Sequence, residues 1–234
     1  MADEPLGLTV HTLPTPRKAA AGDTLRTFRG RRNMLAVLLV CAAPVLASYI
    51  TYYLVRPEGR RNFGELIDPQ RPVPGISATS LAGEAVPLRS LTGQWLLVSV
   101  AGAGCDAACE KHLYLQRQLR EGLGKNKDRL DWVWLVSDAQ AVRPALGPAL
   151  AQATVLRVDA AQLATWLAPA PAHKLQDHLY VIDPMGNWMM RFPALQQEAG
   201  LAGIDPAAAA KIKRDLEHLM RGSASWDQPG RQLK

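Results

Sequence analysis

From Met34 to Val55 the chain runs for 22 residues without a charge (MLAVLLVCAAPVLASYITYYLV). At about 1.5 Å per residue this is long enough to cross a hydrocarbon layer of about 30 Å, so the pattern predicts one membrane-spanning helix over 34–55. Tyr49, Tyr52 and Tyr53 gather near one end, where an aromatic ring sits at a membrane interface with its hydroxyl outward. Pro44 is compatible with such a helix, because proline is tolerated where neighbours or local adjustments satisfy the freed carbonyl.

Beyond the span the apolar runs shorten and change period. Ile76–Leu81 and Ala85–Leu88 read as a hairpin across Ala82, Gly83 and Glu84. Trp95–Val100 (WLLVSV) reads as a strand buried on both faces, and Leu130–Val136 (LDWVWLV) as a second. Between them a helix starts near Ala108, with His112, Leu115, Leu119 and Leu123 on one face and Gly122 and Gly124 at its end. A helical stretch over 144–152, a third strand over 154–158 and a helix capped by Asp159 and running to Leu167 follow. Leu179–Ile182 and Trp188–Phe192 flank the turn Asp183-Pro184-Met185-Gly186 and predict an antiparallel hairpin. The last helix opens with Asp205 as N-cap and Pro206 at the first helical position, and stops at Gly222.

Strands interleaved with helices, then a hairpin and a closing helix, predict an α/β sandwich whose element order is that of a thioredoxin-like fold. The expected organisation is a cytoplasmic tail at 1–33, the span at 34–55, a Pro/Gly/Arg-rich linker at 56–74, one domain at 75–222 and a loose polar tail at 223–234. The apolar run is longer than the core of a cleaved signal peptide and follows a 33-residue leader, which favours a retained anchor.

The formal charge of +6 raises the question of nucleic acid. The basic residues are scattered, with no Arg/Lys run interleaved with aromatics, and much of the bias flanks the span, so a membrane and not a nucleic acid is the expected partner. Six Lys/Arg (Arg17, Lys18, Arg26, Arg29, Arg31, Arg32) precede the span and four follow it by Arg71, which favours an N-terminus inside. A close cysteine pair in the large domain agrees with placement outside the cytosol.

That pair is Cys105-Asp106-Ala107-Ala108-Cys109, at the junction of the first core strand and its helix. Unpaired N–H groups and the helix dipole favour thiolate there. One helical turn of separation allows both sulfurs to reach one soft metal ion, and equally allows a disulfide. Copper(II) asks for an imidazole beside two thiolates, and His178, in Asp177-His178 at the entry to a strand, is the candidate. His112, three residues after Cys109 on the same helix face, is the alternative.

The anchor, the element order, Cys-x-x-x-Cys after the first core strand, and Asp-His opening a strand before an Asp-Pro-x-Gly hairpin together resemble the SCO/SenC family of cytochrome c oxidase copper-assembly proteins. The likeness spans about Ile76 to Met220. It implies copper held by Cys105, Cys109 and His178, a cytochrome c oxidase subunit or another assembly factor as partner, and a bacterial inner-membrane protein with its domain in the periplasm. Two other functions stay open: thiol-disulfide exchange at Cys105 and Cys109 on a partner's copper-site cysteines, and a non-catalytic interaction module. The chain departs from the family pattern with Asp106 and Glu110 where prolines are usual, and with Ala101-Gly102-Ala103-Gly104 as lead-in. Two carboxylates beside the thiols are expected to oppose thiolate formation by like-charge repulsion.

Overall fold

The computed structural model describes residues 16–55, 62–195, 205–227 and 229–230. The chain divides into two units, Met1–Gly59 and Arg60–Lys234.

The first unit contains α1 (Pro16–Ile50), extended by a π-helical turn over Thr51–Val55. Thr27–Tyr53 is long and apolar enough to cross a membrane. Helix begins at Pro16, so residues 16–33, expected as an irregular tail, are helical; an Ala-rich stretch (AAA at 19–21) with no proline after Pro16 gives the reason. The stretch 1–15 lies outside the described residues. Pro44 sits inside α1, which continues on both sides of it.

The second unit is built on one eight-stranded sheet flanked by helices. Its strands are β1 (Glu65–Pro72), β2 (Ser77–Ser80), β3 (Ala85–Pro87), β4 (Trp95–Ala101), β5 (Leu130–Val136), β6 (Thr154–Arg157), β7 (Leu179–Ile182) and β8 (Asn187–Arg191). Their spatial order is β1-β8-β7-β4-β5-β6-β2-β3. β4 pairs in parallel with β5, and β5 with β6, while β7 lies antiparallel on the other side of β4. Such a mixed sheet with helices on both faces is the thioredoxin-like α/β arrangement expected.

Alternation along β4 separates two layers of core. Leu96, Val98 and Val100 pack with Leu163 and Trp166 of α3 (Ala160–Trp166). Trp95 and Leu97 pack on the other face with Leu115 and Leu119 of α2 (Ala107–Gly122) and Ile212 and Leu216 of α4 (Pro206–Gly222). All seven residues of β4 are buried, as its uninterrupted apolar run requires. Asp159 and Asp205 cap α3 and α4 by accepting backbone N–H bonds from Ala161 and Gln162, and from Ala207. The stretch 144–150 is 3-10 rather than α, with Pro148 inside it.

Two boundaries differ from expectation. The folded unit takes in much of the region read as linker: β1 pairs with β8, Val73 is buried, and the buried carboxylate of Asp215 on α4 accepts the Gly64 N–H at 2.8 Å. The closing stretch after α4 is likewise tied down as far as Asp227. Arg129, buried, donates to Asp227 at 2.7 and 3.0 Å, to Ser223 at 2.7 Å and to the Met220 carbonyl at 2.8 Å. The first stretch is held by its backbone pairing with β8 and by Phe63, Leu66, Ile67 and Val73 packed on the core, the second by the polar bonds of Arg129.

Candidate redox site

Where β4 ends, the backbone turns over four small residues into α2. Asp138, just past β5, accepts the Ala103 N–H with both carboxylate oxygens at 3.1 Å and the Gln140 N–H at 3.2 Å. A Cβ on Gly102 would lie 2.6 Å from an Asp138 oxygen, so the glycine is required for this approach. Cys105 follows with φ of +40°, a left-handed conformation costing about 1–2 kcal/mol for a residue with a side chain. Its N–H donates to the Gly102 carbonyl at 3.1 Å, and its carbonyl accepts from Arg143 Nη2 at 2.8 Å.

Asp106 then caps α2, its carboxylate accepting the Cys109 N–H at 2.9 Å. Glu110, in the first turn, pairs with Arg143. The two carboxylates expected to act against the thiols are therefore both engaged, one by a backbone donor and one by a guanidinium. Cys105 and Cys109 are joined by a disulfide, their Cα atoms 5.1 Å apart and their side chains buried with Leu113, Trp132 and Trp134. Of the two outcomes open to a pair at this spacing, the structure presents the disulfide.

His112 is buried on the face of α2 that carries Cys109. Burial pushes its imidazole down to about 4, only partly offset by the Asp177 carboxylate, while nearby His178 presses in the same direction as burial and Asp106 opposes it. His112 thus stands in electrostatic reach of both the disulfide loop and the Asp177-His178 segment.

His178 lies at the entry to β7, fully buried. Its Nδ1 is 2.8 Å from the Phe192 carbonyl and its Nε2 is 3.1 Å from the Ala170 N–H. A carbonyl only accepts and an amide N–H only donates, so these partners assign the proton to Nδ1. Burial lowers its proton affinity, against a raising contribution from the Phe192 carbonyl. The His173 ring meets it edge-on at 5.4 Å. Both ring nitrogens of His178 are therefore engaged, and a metal reaches Nε2 only in place of the Ala170 N–H. Among the described residues, no three His, Cys, Asp or Glu side chains stand together as a ready metal site.

Asp138 and Arg143 are the site residues that periodicity passes over. They lie about 30 positions or more after the cysteines in an irregular connection, and only the Ser137-Asp138 pair after a buried strand hints at a turn.

Residues 95–223 match the family described as transmembrane-like, thioredoxin-like, C-terminal domain. The chain belongs to this family. Comparison with curated proteins gives no match. Similar solved structures include an SCO1/SenC family lipoprotein from Bacillus anthracis (14% identity, 65% of this chain and 98% of that one, TM-score 0.45). They also include Bradyrhizobium japonicum ScoI with copper bound (20%, 59% and 95%, 0.39) and a thiol:disulfide interchange protein from a Bacteroides species (14%, 66% and 91%, 0.45). SCO/SenC proteins, which the sequence resembles, are thus among the structures similar to this member of the transmembrane-like, thioredoxin-like family.

Proposed function

We propose that this protein is a membrane-anchored, SCO-like assembly factor for cytochrome c oxidase that presents Cys105 and Cys109 as a reversible dithiol. The buried disulfide at the head of α2 carries this reading: it joins a strained residue just before the N-cap to the first turn of the helix, beside an arginine. Reduced, the pair offers two soft sulfurs at a spacing that suits Cu(I) as cargo. His178 is the proposed third donor for Cu(II), its Nε2 lone pair exchanging the Ala170 N–H for the metal. In this reading the anchor lies in a bacterial inner membrane, with the N-terminus cytoplasmic and the domain periplasmic. The partner is a cytochrome c oxidase subunit or a second assembly factor.

Thiol-disulfide exchange on a partner's copper-site cysteines is the second reading, favoured by the same disulfide. A Cys105 thiolate attacks the partner disulfide and releases one partner thiolate; the Cys109 thiolate then attacks the Cys105 sulfur, releases the other and closes the Cys105–Cys109 bond.

Copper content and free-thiol count of the reduced and oxidised full-length protein separate the two. Cys105→Ser and Cys109→Ser are each expected to abolish Cu(I) binding to about the same extent, and full copper binding or full oxidase assembly in either overturns the paired site. His178→Ala is expected to lose the thiolate-to-Cu(II) charge-transfer band with a smaller loss of Cu(I), and His112→Ala to change little. An exchange of these outcomes places the imidazole ligand on α2.

A further inference from the structure

The connection between β5 and β6 returns to the cysteine loop at two points. Asp138 fixes Ala103 ahead of the disulfide, and Arg143 grips Cys105 itself. The Arg143 guanidinium bridges two groups, the Cys105 carbonyl at 2.8 Å and the Glu110 carboxylate one turn into α2. Both side chains of that ion pair are close to half exposed, 46% and 45%. A pair so exposed adds little to stability, so its place beside the disulfide calls for a different account.

Charge supplies one. The carbonyl that Arg143 holds and the sulfur in the disulfide belong to the same residue, separated by the short Cα–Cβ path. While the bond is closed the sulfur is neutral and gains nothing from the guanidinium. When the bond opens the sulfur takes a negative charge on the same residue whose carbonyl the Arg143 cation holds, which stabilises the reduced state alone. Glu110 acts the other way, because a carboxylate paired to the same guanidinium cancels part of its field. Asp106, the other carboxylate at the site, is held by the Cys109 N–H.

We propose that Arg143 is the charge partner of Cys105, making it the sulfur that carries the thiolate, and that Glu110 attenuates this effect, so the Arg143–Glu110 pair sets the reduction potential of the Cys105–Cys109 couple. Arg143 is a positioning residue: it touches the backbone of the reacting cysteine and forms no bond to a substrate. The proposal rests on the reading of the pair as a reversible dithiol. The balanced step with glutathione is one disulfide plus two glutathione thiols giving Cys105 thiolate, one released proton, Cys109 thiol and one glutathione disulfide.

The test is that equilibrium, measured on the full-length protein in detergent by trapping free thiols across a range of glutathione ratios. A wild-type disulfide that does not exchange reversibly removes the dithiol reading itself. With the wild-type couple established, the variants test the inference. Arg143→Met is expected to shift the equilibrium toward the disulfide by about tenfold, which is about 30 mV for a two-electron couple. Glu110→Gln, which removes only a charge, is expected to shift it the opposite way, toward the dithiol. Arg143→Lys, which keeps the charge without the planar fork, is expected to recover most of the loss. A purely structural pair predicts that breaking it from either side moves the potential in one direction, so shifts of the same sign, or no shift in Glu110→Gln, overturn the proposal. If Arg143→Met does not fold, Glu110→Gln decides alone. The alkylation rate of the reduced protein gives a second readout: Cys105 is expected to react before Cys109, and the reverse order also overturns it.

Discussion

A buried imidazole next to a disulfide makes the domain sensitive to acid in a defined window. His112 titrates at about 4 in the folded protein and at 6.5 as an unperturbed side chain. The unfolded chain therefore binds the extra proton first as pH falls, and stability contributed by the neutral, buried ring is fully present above 6.5 and drains away between 6.5 and 4. A shift of this size corresponds to about 3 kcal/mol. His178 is shifted in the same direction and adds to the slope. Urea midpoints measured from pH 7.5 to 4 are expected to hold level down to about 6.5 and then to fall for the wild type, and to fall less steeply for His112→Gln. Equal slopes for the two proteins contradict the assignment.

At the level of whole elements, α2 is held to the sheet by polar as well as apolar contacts. Gln116 is fully buried; its amide donates to the Leu97 and Val133 carbonyls at 2.7 and 3.1 Å, and its oxygen accepts from the Ser99 hydroxyl at 3.0 Å. One side chain thereby fastens the cysteine-bearing helix to β4 and β5 together. Gln116→Ala is expected to cost about 3 kcal/mol, from a cavity and an unpaired buried Ser99 hydroxyl, read by chemical denaturation. A loss under about 1 kcal/mol means that water replaces the amide. Elements of this kind were only half legible in the sequence. The runs 95–100 and 130–136, the caps at Asp159 and Asp205 and the hairpin around Asp183-Pro184-Met185-Gly186 announce themselves through period and turn chemistry, and each forms. The cysteine pair was legible as well, since spacing and position suffice. Gln116, Asp138, Arg143 and Asp215 were not, because each works through one backbone group or charge far along the chain, and periodicity registers only apolar neighbours. The strand β1 was hidden for a related reason: its sequence ELIDPQRP has two prolines and three charges, tolerable only at the sheet edge that it occupies.

For the molecule as a whole, one helix long and apolar enough to cross a membrane and one thioredoxin-like domain make the side of the membrane the decisive variable of the proposed function. The charge flanking the span favours the N-terminus inside, and a disulfide persists where the surroundings are oxidising. In intact spheroplasts treated with an impermeant reductant, an impermeant thiol reagent is expected to label Cys105 and Cys109. Labelling that appears only after lysis reverses the orientation. The layout of the core also has a consequence in time. The cluster around the disulfide draws only on residues 101–155, whereas the cluster beneath α4 needs strands and a helix from 179 onward. A chain made from its N-terminus can therefore condense the cysteine region while the antiparallel neighbour of β4 is still unsynthesised. For that interval β4 has one flank open, and the cysteines can meet oxidant or metal in a half-built protein, before β7 covers that flank.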